Sequence, residues 1–178
     1  MAINAAGERV YLPGEIARKI IALARKSPDR EVCGLLGAGP CGVTCYPIAN
    51  VAAQPRCRFE LNPKAQIEAM RQMRERDESL FAIYHSHPAG PPVPSATDIR
   101  EAAYPDVLYL IVCGELCDGG LRAFRIVGGR AVEVSLEFSH EAPNVVLLVD
   151  QSKSMNDPDL FYELGLSRWE VVRLARER

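Results

Sequence analysis

The chain has 178 residues, of which 48% are apolar and 25% are charged, and its formal net charge is −2. This length allows one domain with a sizeable core, and the composition is that of an ordinary globular protein. The charge balance creates no global field that would favour nucleic acid or an anionic membrane. The N-terminus lacks a basic stretch followed by an apolar run, and no apolar run is long enough to span a membrane. We therefore expect a cytoplasmic protein.

Helical and strand-like patterns alternate along the first half of the chain. A helix begins after Leu12 and ends at Ser27-Pro28, and the residues 37–40 form a turn. Asn62 followed by Pro63 has the pattern of a helix N-cap with proline at the first helical position. The predicted elements after the first helix are strands over 32–36 and 43–48, a short strand over 59–61 and a helix over 62–76.

In the second half, a buried strand leads into the segment His-Ser-His-Pro at 85–88. A loop rich in proline and glycine and a short helix follow. Gly128-Gly129 separates two strands in the manner of a hairpin. The predicted elements are strands over 80–84, 107–113, 121–127 and 130–136, with a helix over 95–103. The fold class is α/β or α+β, with a central mixed sheet flanked by helices.

The character of the sequence changes near residue 138. We assign residues 1–138 to one domain and residues 139–178 to a C-terminal extension. The extension contains a loop, an apolar run over 145–149, a polar loop and a helical tail.

The cysteines stand at positions 33, 41, 45, 57, 113 and 117. An even count is compatible with disulfides, but a chain without a secretory signal and with a large core is expected to keep reduced thiols. Cys41 with Cys45 and Cys113 with Cys117 leave a four-cysteine structural zinc site open. Against that site, the spacing is loose, and cysteine at the end of an apolar strand packs as a small hydrophobic residue.

The segment with the clearest chemical pattern joins two histidines to an aspartate. His85 and His87 stand two residues apart on a predicted strand, so their side chains point to the same face and can chelate one metal. The following loop is long enough to return Asp98 beside them from the first turn of a helix. Three ligands of these types leave a fourth position for water, which is typical of a catalytic zinc site. Zinc lowers the pKa of such a water to about 7.

These residues resemble the JAMM (MPN+) zinc metalloprotease family, in its small prokaryotic form. The family pattern is an early glutamate, then His-Ser/Thr-His-Pro, a short spacer and Ser-x-x-Asp. The chain offers Glu31 before Val-Cys-Gly-Leu-Leu-Gly, and then the segment from His85 to Asp98 without a departure. Asn50 and the run 58–63 also resemble the middle region of the family. The resemblance covers residues 9–136 and implies a cytidine-deaminase-like JAMM fold.

The resemblance also implies a role for each motif residue. His85, His87 and Asp98 would bind one zinc ion, Glu31 would act as general base and then general acid, and Ser95 would donate a hydrogen bond to the developing oxyanion. The implied reaction is hydrolysis of a peptide or isopeptide bond. The implied substrate is a ubiquitin-like or sulfur-carrier protein, cleaved at its C-terminal Gly-Gly. Glycines at 37–42 and 89–90 would allow an extended tail to approach closely.

Two of these residues also have purely structural interpretations. Ser95 with Asp98 is a plausible N-cap with an acidic first turn, which is compatible with metal binding by Asp98. Glu31 could be a solvated charge in Asp-Arg-Glu, and Asp106 and Glu101 are competing carboxylates. A zinc deaminase is disfavoured, because position 87 is histidine where that pattern has glutamate and neither cysteine pair has two-residue spacing.

Two alternative functions stay open. The first is a non-catalytic interaction scaffold of the MPN type, although no motif residue is missing. The second is a DNA-associated regulator that uses the basic end of the chain, residues 158–178, although we find no complete DNA-binding unit. The tail is more simply explained by docking onto the domain or onto a partner subunit, so a homodimer is compatible with the sequence.

Overall fold

The computed structural model describes residues 8–113, 120–139 and 148–149. Within these residues the chain forms eight strands and three helices. In chain order the elements are β1 (Arg9–Pro13), α1 (Gly14–Arg25), β2 (Cys33–Gly39), β3 (Gly42–Ile48), α2 (Pro63–Glu75), β4 (Ser79–His87), α3 (Ala96–Glu101), β5 (Leu108–Cys113), β6 (Leu121–Val127), β7 (Arg130–Ser139) and β8 (Leu148–Val149).

The strands form one mixed sheet in the order β3-β2-β4-β5-β6-β7-β1-β8. The pairs β4–β5 and β1–β7 are parallel, and the other pairs are antiparallel. The first strand, β1, therefore pairs with β7 from the C-terminal half of the domain, while β4 lies between β2 and β5. The fold is α+β, as the sequence predicted.

Alternate residues of the central strands enter two separate cores, one on each face of the sheet. Leu36, Tyr84 and Leu110 lie in the core covered by α1. Their neighbours Leu35, Ile83 and Tyr109 lie in the core covered by α2. Strands buried on both faces are apolar throughout, which explains why 107–113 has a continuous hydrophobic pattern. The two cores fix β4 firmly on both faces.

The predicted turn at 37–40 is partly wrong, because Gly37 and Gly39 belong to β2. A Cβ at Gly37 would collide with the Glu78 carboxylate, and one at Gly39 would lie 2.8 Å from the Asp77 carbonyl. These glycines let the chain between α2 and β4 lie against β2. The predicted strand at 59–61 is also wrong, since Leu61 forms only an isolated bridge with Asn50.

Strand β1 was not predicted, although it shows the alternation of a half-buried strand. Val10 and Leu12 are fully buried, whereas Arg9 is exposed. Its partner β7 lies more than a hundred residues away, so the local pattern was too short to identify the pairing.

Most of the predicted extension lies outside the described residues, and so does the basic end of the chain. Of its apolar run, Leu148 and Val149 form β8 and pair antiparallel with β1. The boundary near residue 138 stays a prediction. No helix among the described residues is long and apolar enough to cross a membrane.

The expectation of reduced cysteines is wrong at one position, since Cys113 is disulfide-bonded. Cys33, Cys41, Cys45 and Cys57 are free. Reduced thiols were expected because the sequence indicates a reducing compartment. The compartment does not determine whether the fold brings two cysteines close together. The described residues do not support a four-cysteine zinc site, because Cys113 is disulfide-bonded and the strand that bears Cys45 is separated from β5 by β2 and β4.

Candidate metal centre

The C-terminal end of β4 carries both histidines. His85 pairs with Cys33 of β2 and with Ile111 of β5, so it lies in the middle of the sheet. His85 and His87 continue the row of Ile83, on the face that α2 covers. His85 is fully buried. The strand is longer than the predicted 80–84 and includes both histidines, which confirms that they share one face.

The aspartate reaches the histidines from α3. Ser95 is the N-cap of this helix, and its Oγ accepts a hydrogen bond from the Asp98 N–H at 3.1 Å. The Ser95 N–H in turn donates to Asp98 Oδ2 at 2.7 Å. This reciprocal capping box fixes the orientation of the Asp98 carboxylate. The structural interpretation of Ser95 is therefore correct, and it is compatible with a place for Asp98 at the metal. The helix is shorter than predicted and ends at Glu101.

Three side-chain atoms meet in a compact triangle. His85 Nε2 lies 3.0 Å from His87 Nε2, and Asp98 Oδ2 lies 3.5 Å from each of these nitrogens. Ligands on a tetrahedral zinc at about 2.1 Å are separated by about 3.4 Å, so the triangle has the size that one such ion requires. Among the described residues this is the one group of three potential ligands that can hold a metal.

Neighbouring groups orient the two imidazoles. His87 Nδ1 lies 2.8 Å from the Pro91 carbonyl oxygen. Because a carbonyl only accepts, Nδ1 carries the proton and the Nε2 lone pair faces the triangle. Phe59 stacks on His85, with ring centroids 4.4 Å apart and an interplanar angle of 20°. His85 Nδ1 finds no hydrogen-bond partner among the described protein atoms.

The three groups shift one another's pKa values. Burial lowers the pKa of His85. Burial also acts to lower the pKa of His87, but the hydrogen bonds with Asp98 and Pro91 outweigh it and the net shift is upward. For Asp98, burial would raise the pKa, yet the hydrogen bonds from both histidines hold it well below its ordinary value. A carboxylate that stays ionised beside two imidazole nitrogens is a suitable donor set for a divalent cation.

Glu31 is buried beside this triangle, with 4% of its surface exposed. The interpretation of Glu31 as a solvated charge is therefore wrong. Burial raises its pKa to about 7, with His87 lowering and Asp98 raising it in addition. The charges of His87 and Asp98 therefore both act on the Glu31 carboxylate. A carboxylate with a pKa near neutrality is suited to both accept and return a proton.

Ser86 ties Glu31 to the histidines. Its Oγ accepts a hydrogen bond from the Val32 N–H at 2.9 Å, and its own N–H donates to the Val32 carbonyl at 2.9 Å. The residue between the two histidines therefore holds the residue that follows Glu31. This role of Ser86 was not predicted from the sequence. The feature that indicates it is a small polar residue within a buried strand.

The competing carboxylates do not reach the ligands. Asp106 is exposed, and Glu101 forms an ion pair with Arg58 at 2.6 Å on the protein surface. A cleft beside the triangle is bounded by that ion pair. Its lining residues are Arg58, Phe59, His85, Thr97, Asp98, Glu101, Ala102 and Tyr109.

Comparison with known proteins decides the family. Residues 13–127 match the model of Prok-JAB, described as prokaryotic homologs of the JAB domain. The chain belongs to the Prok-JAB family. This assignment confirms the resemblance found in the motif.

Curated relatives of this Prok-JAB chain have functional names, among them desampylase and CysO-cysteine peptidase. A protein of Haloferax volcanii named desampylase is 34% identical over 135 residues, which are 72% of this chain and 95% of the relative. A protein of Mycobacterium tuberculosis named CysO-cysteine peptidase is 34% identical over 129 residues, which are 70% of this chain and 87% of the relative. The Prok-JAB chain is accordingly a hydrolase of the peptidase type.

A solved structure agrees with the fold. The solution structure of a protein from Desulfitobacterium hafniense has a TM-score of 0.64 and is 30% identical, covering 74% of this chain and 93% of that protein.

Proposed function

We propose that this protein is a zinc-dependent hydrolase of peptide or isopeptide bonds at the C-terminal Gly-Gly of a ubiquitin-like or sulfur-carrier protein. His85, His87 and Asp98 hold one zinc ion per chain, Glu31 is the general base, and Ser95 stabilises the oxyanion. The proposal includes a cytoplasmic location. The observation that carries it is the triangle of three ligand atoms with a buried carboxylate beside it.

The donor set fits zinc on chemical grounds. Two imidazole nitrogens 3.0 Å apart, both facing one carboxylate oxygen, need a proton or a cation between them to offset the repulsion of their lone pairs. Three nitrogen and oxygen ligands with one open position are typical of catalytic zinc. When bound there, the ion supplies Lewis acidity and lowers the pKa of a coordinated water.

The proton transfers and the stabilisation of the oxyanion are assigned to side chains of the protein. Glu31 takes the proton from the attacking water and delivers it to the leaving amine, as a buried carboxylate beside the metal site can do. The Ser95 hydroxyl accepts from Asp98 N–H and keeps its own O–H free to donate to the developing oxyanion. The cleft beside Asp98 provides room for the group on one side of the scissile bond.

The names of the relatives support the substrate class. One is named for CysO-cysteine and the other is named desampylase. The glycines that were expected to let a substrate tail approach lie in two different parts of the structure. Gly90 lies against His87, where an added Cβ would be 3.7 Å from the His87 Cβ. Gly37 and Gly39 lie four or more residues along β2 from Cys33, about 13 Å or more from that residue, so they are not next to the scissile bond.

The first test is zinc content by elemental analysis of the purified protein, of His87→Ala and of a matched control, His140→Ala. The control replaces the third histidine of the chain, which is not a proposed ligand. We expect one zinc per chain in the wild type and the control, and none in His87→Ala. No zinc in the wild type after reconstitution would reject the metal site and favour the scaffold alternative.

The second test is hydrolysis, followed by mass spectrometry. One substrate is a sulfur-carrier protein whose terminal Gly-Gly is extended by a single cysteine. The other is the same carrier joined through Gly-Gly to a lysine side chain. We expect cleavage after the second glycine, lost in His87→Ala and in Glu31→Gln, with zinc retained in the latter. A zinc-loaded protein that cleaves neither substrate would reject the proposed substrate class.

A further inference from the structure

Residues 49–62 join β3 to α2 and form a closed loop. The Val51 N–H donates to the Glu60 carbonyl at 2.9 Å, and the Asn62 N–H donates to the Ala49 carbonyl at 3.0 Å. Together with the bridge between Asn50 and Leu61, these bonds close the loop at its base. We call this segment the 49–62 loop.

The side chain of Asn50 is bonded to backbone atoms in four places. Its Nδ2 donates to the Glu31 carbonyl at 3.0 Å and to the Arg58 carbonyl at 2.9 Å. Its Oδ1 accepts from the Ala52 N–H at 3.0 Å and from the Glu60 N–H at 3.1 Å. Two donated and two accepted bonds use the full capacity of a carboxamide. The amide thus joins both sides of the 49–62 loop to Glu31.

Glu31 depends on this loop for its backbone position. Strand β2 begins at Cys33, so Glu31 lies before the first ladder pair. Its N–H donates to the Pro55 carbonyl at 2.6 Å, and its carbonyl accepts from Asn50. Both backbone polar groups of Glu31 are therefore bonded to the 49–62 loop and not to the sheet.

The same loop contacts the metal centre at two further points. Phe59 stacks on the His85 ring. Arg58 forms an ion pair at 2.6 Å with Glu101, which lies three residues after Asp98 on α3. One short segment thus touches the general base, one metal ligand and the helix that bears another ligand. A change in its shape would therefore move Glu31 relative to His85 and Asp98.

We propose that Asn50 is a positioning residue for hydrolysis, which sets Glu31 at its working distance from the metal through the 49–62 loop. The inference rests on the proposed role of Glu31. Asn50 does not touch the reacting atoms, and its influence on the rate passes through Glu31. A displacement of about 1 Å at a catalytic group can lower a rate about 100-fold, so a bond to the backbone of the base is sufficient for a large effect.

The test compares Asn50→Asp and Asn50→Ala with Asn62→Ala as the matched control. Asn50→Asp is nearly isosteric and keeps the acceptor for Ala52 and Glu60, but it loses the donor for Glu31. Asn62 caps α2 by accepting from the Ala65 N–H, so Asn62→Ala removes an asparagine from the same loop without touching Glu31. The substrate is the carrier extended by a single cysteine, and rates are taken per bound zinc at a temperature well below unfolding.

We expect one zinc per chain in all three variants. In Asn50→Asp and Asn50→Ala, kcat should fall at least about 10-fold with KM changed by less than about 3-fold, since substrate binding is not touched. Asn62→Ala should keep its kcat. An unchanged kcat in the Asn50 variants would overturn the proposal, and so would an equal fall in Asn62→Ala, because that would point to general loosening of the loop. Should Asn50→Asp not fold, Asn50→Ala is judged by the same criteria.

A double-mutant cycle separates positioning from a structural role. If Asn50 acts through Glu31, then Asn50→Ala should lower the residual single-turnover rate of Glu31→Gln by less than about 2-fold. A multiplicative loss in the double variant would refute the proposal. A failure of the proposed function can be distinguished from a failure of this inference. In that case Glu31→Gln would cleave as fast as the wild type, or the wild type would not cleave at all.

Discussion

Replacing Glu31 by glutamine should change how the stability of the zinc-stripped protein depends on pH. Burial raises the pKa of Glu31 from its ordinary 4.5 to about 7. In the unfolded chain this carboxyl loses its proton at a lower pH than in the folded chain. Between pH 4.5 and 7 the folded state therefore binds more protons, and the free energy of unfolding falls as the pH rises. The cost is absent below pH 4.5 and complete above pH 7.

The magnitude follows from the size of the pKa change. One pKa unit corresponds to about 1.4 kcal/mol, so the difference between 4.5 and about 7 corresponds to about 3 kcal/mol. Glutamine cannot ionise and does not carry this cost. Relative to the wild type, Glu31→Gln should gain up to about 3 kcal/mol of stability between pH 4.5 and pH 8. Bound zinc should reduce the gain, because a cation stabilises the carboxylate.

Urea unfolding of EDTA-treated protein, measured in steps between pH 4.5 and 8, tests this expectation. The matched control is Glu101→Gln, which makes the same change at an exposed carboxylate that pairs with Arg58 and should shift stability by less than about 1 kcal/mol. A constant difference between wild type and Glu31→Gln over this range would refute the reasoning. It would mean that Glu31 is solvated and that its proximity to Asp98 and His87 is wrong.

Three further substitutions test the packing around the site. Ser86→Ala should lower stability by about 1–3 kcal/mol in urea unfolding, because it leaves the Val32 N–H without its side-chain acceptor. Tyr46→Phe should lower the free energy of unfolding by a similar amount, seen as a lower midpoint temperature in a thermal scan. The reason is that the Tyr46 hydroxyl donates at 2.7 Å to the buried Glu78 carboxylate. Gly34→Ala should cost about 1–3 kcal/mol or more in urea unfolding, because its Cβ would overlap the Tyr46 carbonyl.

The group of three potential metal ligands could be predicted from the sequence because its arrangement is local. Alternation along one strand places His85 and His87 on one face, and a single loop returns Asp98 to them. The N-cap pattern of Ser95 was equally local, and the helix begins where it predicted. Geometry of this kind depends on a few consecutive dihedral angles and not on the rest of the fold.

Glu31 is a different case, because its place at the site depends on the register of β2 against β4. Cys33 pairs with His85 across more than fifty residues of intervening chain. No property of the segment Asp-Arg-Glu distinguishes a buried base from a surface charge, so only the family resemblance led to it. The contact of Phe59 with His85 and the bond from Asn50 to Glu31 also join residues that are distant in sequence, so the sequence contained these residues but did not show that they meet.

Ser95 has one observed role, as the N-cap of α3, and one proposed role, as the oxyanion donor, and one substitution can separate them. As an N-cap, its Oγ accepts from the Asp98 N–H, and glycine at an N-cap costs only a few tenths of a kcal/mol. The Asp98 carboxylate would still accept from the backbone N–H at position 95. Ser95→Gly should therefore keep one zinc per chain and nearly full stability. Without the hydroxyl donor to the oxyanion, kcat should fall about 100- to 1000-fold. Zinc loss with an unchanged kcat per bound zinc would leave Ser95 as a cap alone.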